Sequence, residues 1–235
     1  MKPSSAARQP SPLPLRVLHG LVFGGFTAMC LAAGWPELEH LVRTQLQPFH
    51  PGPPPRPELL LPMLAALVGM AAVLVQHLRG RAVRLAWSLL ILGALVLTLW
   101  GQREGLVAGR TADSANVKIL EVARKLHEGN VNALRSQGAV SENVGTWQSA
   151  LEQVSHGEPS PVRTRSFEPL PFRIRKIESP EALPPDAPPG TLMLYVMPGG
   201  FAYALHPVGV SPTGEPWPLH APDGAALVFH GAVNP

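Results

Sequence analysis

Cysteine occurs once in these 235 residues, at position 30, which excludes an intramolecular disulfide framework and a cysteine-rich metal centre. Met29 precedes Cys30 and Leu31-Ala-Ala follows it, so it lacks the setting of a lipid-anchored cysteine and reads as a small buried hydrophobe. Charge is scarce too. Asp, Glu, Lys and Arg make up 15% of the chain and hydrophobic residues 46%, against about 25% charged in an ordinary soluble domain. Motifs that carry chemistry are missing: there is no HExxH, no GxSxG and no glycine loop opening a helix, because Gly199-Gly200 runs into an alternating stretch. The expectation is a chain with no cofactor, leaning away from an enzyme.

What the sequence has instead is three long apolar runs: 17–35, 59–78 and 82–100. Each is close to the ~20 residues that cross a hydrocarbon core at ~1.5 Å rise per residue. The expected plan is three transmembrane α-helices followed by a small α+β extracytoplasmic domain, with one or two helices and an antiparallel sheet of about four strands. Its divisions are an N-terminal segment 1–16, the first span 17–35, a proline-rich loop 36–58, the second span 59–78, a turn 79–81, the third span 82–100, a helical segment 101–160 and a proline-rich β region 161–235. The first run also has the basic flank of a signal peptide, with Ala32-Ala-Gly as a cleavage site, but it is longer than a usual signal core and two further spans follow closely.

Basic residues in short flanking segments resist translocation, so they set orientation. Lys2, Arg8 and Arg16 precede the first run, and Arg79, Arg81 and Arg84 crowd the second turn, whereas Arg43, Arg56, Arg103 and Arg110 flank the opposite ends. The larger group belongs inside, which gives an inner-membrane, multi-pass chain with its N-terminus in the cytoplasm and its C-terminal domain outside. Trp35 and Trp100 then mark the outer interface. Residues 101–235 carry 11 basic and 13 acidic side chains, a net −2, so the overall +3 resides beside the membrane and argues against a nucleic-acid partner. Gly20, Gly24, Ala28 and Ala32 recur every fourth residue along the first span, a small-residue stripe suited to close packing on another span or to self-association.

Beyond residue 101 the period becomes helical. Val117, Ile119, Leu120, Val122 and Leu126 outline one helix, with Asp113 or Ser114 as N-cap and Gly129 as a stop, and Val140, Val144, Trp147, Leu151 and Val154 trace the seam of another. Alternation marks strands at 172–177, 191–197, 201–206 and 226–230, the middle pair joined by a Pro198-Gly-Gly hairpin. The order of membrane helix, amphipathic helix and hairpins is similar to the plan of type IV pilin-like subunits. Cys30, however, stands where their processing site has Glu, and no family is assigned on plan alone.

His206, His220 and His230 lie near the sheet at separations matching no zinc-ligand spacing, so no metal is expected. Arg163, Arg165, Arg173, Arg175 and Lys176 form the one basic cluster in an acidic region. They are the expected partner-binding residues, and their alternative role is a solvated strand face. These features point to a bacterial envelope protein whose outer domain serves protein interaction or assembly, with membrane lipid and a protein as partners. An extracytoplasmic ligand sensor acting through a separate output protein and an envelope enzyme are the alternatives.

Overall fold

A computed structural model of the chain describes residues 13–102, 110–221 and 224–233. Residues 1–12 of the expected N-terminal segment and Arg103 lie outside them. The described residues form five α-helices and a sheet-containing C-terminal part, divided into two compact units: Met1–Val42 with Pro55–Leu106, and Arg43–Pro54 with Val107–Pro235.

In the first unit, helix α1 (Leu13–Leu46) runs well past Trp35, its expected end, and only its last turn belongs to the second unit. Pro36 removes one backbone donor without stopping it, because the following Glu-Leu-Glu-His-Leu stretch is made largely of good helix formers. Thr27, Cys30, Gly34 and Glu37 form its buried seam, and Gly34 lets the Met63 side chain approach. A 3₁₀ turn at Pro57–Leu59 opens α2 (Leu60–Leu78). This helix ends in a Schellman motif: Gly80 at φ 67° donates to the His77 carbonyl at 3.0 Å, and Arg81 donates to the Gln76 carbonyl at 2.9 Å. That geometry, with the Arg84 N–H donating to Gln76 Oε1 at 2.8 Å, delays the next helix.

Helix α3 is therefore Leu85–Gln102, not 82–100. Of the three expected spans, two among the described residues, α1 and α2, are long and apolar enough to cross a membrane, and α3 is a shorter apolar helix. Helices α2 and α3 pack where Gly69 meets Ile91.

The second unit contains β1 (Phe49–Pro51), α4 (Ala112–Gln137), α5 (Val144–Val154), β2 (Val162–Thr164), β3 (Arg173–Lys176), β4 (Thr191–Val196), β5 (Ala202–Val210), β6 (Pro216–Pro218) and β7 (Phe229–Ala232). Thr111, rather than Asp113 or Ser114, caps α4, its side chain accepting from the Ser114 N–H at 3.2 Å. Gly129 does not end that helix; Gly138 does, in the left-handed conformation. The apolar period continues to Leu134, which is buried, so the helix gains by continuing.

The sheet is not the all-antiparallel one expected. Strands run β3-β4-β5-β6 with β7 also on β5, and β3 pairs β4 in parallel, Arg173 opposite Thr191. The proline-rich connection 177–190 has the dozen or more residues that a crossover to a parallel neighbour needs. Strand β1 pairs β2, so part of the expected 36–58 loop is built into this unit. One face of the sheet packs on α4 and α5 around Ile119, Trp147, Leu151, Leu192, Leu194 and Leu205. The other face holds a smaller cluster of Ile177, Ala187, Met193 and Val208.

Candidate interaction surfaces

The five expected partner residues divide in two. Arg163 Nε donates to the Gly52 carbonyl at 3.1 Å and its Nη1 to the Phe167 carbonyl at 2.9 Å. Arg165 donates to the Gln47 and Leu46 carbonyls at 3.2 and 3.1 Å, capping the last turn of α1. These two guanidiniums hold the 43–54 segment in place. Arg173, Arg175 and Lys176 stand exposed on edge strand β3, where Arg175 pairs with Asp186 at 3.1 Å. The edge is partly closed by Gln148 of α5, which accepts from the Ile174 N–H at 2.9 Å and donates to the Phe172 carbonyl at 3.3 Å.

The helix-packing stripe is only partly used. Gly24 lies 3.7 Å from Met70 at the position a Cβ would take, Gly20 faces open space, and Ala28 and Ala32 are exposed. The buried seam of α1 is rotated from it, through Thr27 and Cys30.

Among the described residues no group of three or more His, Cys, Asp or Glu could hold a metal ion. His206 is 5% exposed, paired across the sheet with Met193, and neither ring nitrogen has a hydrogen-bond partner among the described residues. Burial and the neighbouring His230 hold its pKa below the ordinary histidine value. On the helix-facing side, Tyr203 Oη lies 2.8 Å from His127 Nδ1 and also donates to the His127 carbonyl at 3.2 Å. Burial raises the phenol pKa and lowers that of His127, so the pair is a neutral brace beneath Trp147.

The tip of the β4–β5 hairpin offers a surface that no motif marks. The Gly200 N–H donates to the Met197 carbonyl at 2.9 Å, closing a turn with Pro198 and then Gly199 at φ 84°, as the Pro-Gly order predicts. Glu142 accepts from the Gly199 N–H at 2.7 Å, and the Val140 N–H donates to the Gly200 carbonyl at 2.9 Å, tying the tip to the α4–α5 connection. The Val233 N–H donates to the Phe201 carbonyl at 2.9 Å. This braced tip leaves Met197, Phe201 and Val233 49%, 58% and 36% exposed. A domain with a complete core has no internal use for such a cluster, and Met and Phe are enriched at interfaces. Exposure cannot be read from alternation at a turn, so only the run Met-Pro-Gly-Gly-Phe hinted at it.

No protein-family model, curated protein or solved structure matches the chain.

Proposed function

We propose that this is a bacterial inner-membrane protein whose extracytoplasmic C-terminal domain docks a protein partner of the cell envelope through the β4–β5 tip. The observation that carries the reading is a rigid, exposed apolar cluster on a domain joined to two helices long and apolar enough to cross a membrane. Helix α3, at 18 residues, falls within the range of about 17–25 that spans a bilayer. An odd number of crossings separates the basic turn 79–84 from residues 110–233. The exposed part of the basic cluster, Arg173, Arg175 and Lys176, then acts as a polar flank rather than the principal contact.

The test is a photo-crosslinking residue placed at Phe201 in cells, with the same residue at Lys125, exposed on α4, as the control. Discrete protein adducts at 201 and none at 125 are expected, reduced when Met197→Glu is added. Equal labelling at both positions, or none at 201, contradicts the docking role.

A further inference from the structure

One end of the helical unit gathers positive charge from three helices. Arg16 Nη2 of α1 donates to the Gly80 carbonyl at 3.2 Å, which brings the start of α1 onto the turn that carries Arg79, Arg81 and Arg84. The same end is held by His19 Nε2 against Ser88 Oγ at 3.0 Å and by the His19 and His77 rings at 5.7 Å, so α1, α2 and α3 all contribute. Arg79, Arg81 and Arg84 are exposed and pair with no carboxylate among the described residues. The chain contains no Asp or Glu at all in 1–36 or 59–103; the acids of this unit, Glu37, Glu39, Glu58 and Glu104, follow or precede those stretches.

An orientation signal needs only basic residues near a span end. It does not need an arginine from a second helix tied onto the turn. We infer that this end of the bundle is a site for the phosphate of an anionic lipid headgroup, with Arg16, Arg81 and Arg84 as the groups that face it. Guanidinium suits the task because its planar fork of donors matches phosphate oxygens, and each basic residue at an anionic membrane surface strengthens binding about fivefold. The Schellman turn at Gly80 matters because it fixes the backbone from which two of these side chains spring. The inference rests on the membrane-anchored reading.

The full-length protein, purified in a neutral detergent, is titrated with phosphatidylglycerol, phosphatidylcholine or inorganic phosphate, and its melting temperature and retained lipid phosphorus are followed. Saturable retention of phosphatidylglycerol with a rise in melting temperature is expected, and no comparable effect of phosphatidylcholine or inorganic phosphate. Retention should weaken as salt rises from 0.1 to 1 M, where the Debye length shrinks from about 10 to about 3 Å. Arg81→Gln with Arg84→Gln should lower it at least fivefold, and the Lys pair should restore part of it. Equal retention of both lipids overturns the site, and stabilisation by inorganic phosphate alone reassigns it to a soluble anion and overturns the lipid. The wild-type comparison decides even if the Gln variant fails to fold. Alkaline carbonate extraction of membranes reads the anchor separately: release without detergent contradicts the anchored reading, whereas firm retention without lipid selectivity contradicts only the headgroup site.

Discussion

His206, in the C-terminal unit, is a histidine whose burial opposes protonation. It is buried beside Met193 with both nitrogens lacking partners among the described residues, and burial first, then His230, depresses its pKa. The unfolded chain takes up that proton near the usual value of about 6.5, the folded chain only at lower pH. Unfolding therefore binds protons in that window, so stability is complete above about pH 6.5 and falls as the pH drops towards the folded value. His127 shifts in the same direction, mainly through burial, and adds to the slope. Urea melts across pH 5 to 8 should show this loss on acidification, and His206→Leu should flatten it while leaving stability at pH 8 unchanged or higher, because two unpartnered polar atoms go. An unaltered slope in the variant contradicts the assignment. None of this was legible beforehand. Spacing could reject His206, His220 and His230 as a zinc set, but it carries no information on which of them the sheet buries.

Between elements, the contact that decides the edge of the sheet is Gln148. Its amide satisfies the outward Ile174 N–H and Phe172 carbonyl, so β3 presents fewer open groups to another strand. Gln148→Ala should cost about 1 kcal/mol, the usual net value of a hydrogen bond, with some added cost from the groups left open. It should also speed amide exchange at Ile174, and unchanged exchange there would remove the role. Local patterns served well where the cause was local. The 3,4 spacing ending in Trp147, Leu151 and Val154 is the core-facing seam of α5, with Trp147 and Leu151 buried and Val154 half-buried, and Pro198-Gly199 makes the turn it encodes. They failed where the cause was distant or competing. The parallel pairing of β3 with β4 leaves no mark in the sequence of either strand. Gly129 looks like a stop until Leu134, buried in the same core, is seen to carry the helix on. Pro36 reads as an end, yet α1 continues to a C-terminus capped by Arg165 from far along the chain. Charge spacing likewise gives no sign that two of the five members of the basic cluster, Arg163 and Arg165, hold backbone carbonyls.

For the whole molecule, the division into an apolar helical part and a sheet-containing part was visible in composition, because long runs without charge and alternating short strands have different periods. The pairing of β1 with β2 was not, since a three-residue strand between prolines has no signal of its own. The number of crossings is the point on which the functional proposal turns. Helices α1 and α2 have the length to span, whereas α3, at 18 residues and ~1.5 Å each, measures only ~27 Å against a hydrocarbon core of about 30 Å. A mismatch of that size is met by modest local thinning of the bilayer, at fractions of a kcal/mol per Å. The direct test is a pair of reporter fusions in cells, alkaline phosphatase and a fluorescent protein, each placed once after Gly80 and once after Pro235. With three crossings, the fluorescent reporter is active after Gly80 and phosphatase after Pro235. If both positions report the cytoplasm, or the two are reversed, the C-terminal domain does not face the envelope and the proposed role is contradicted.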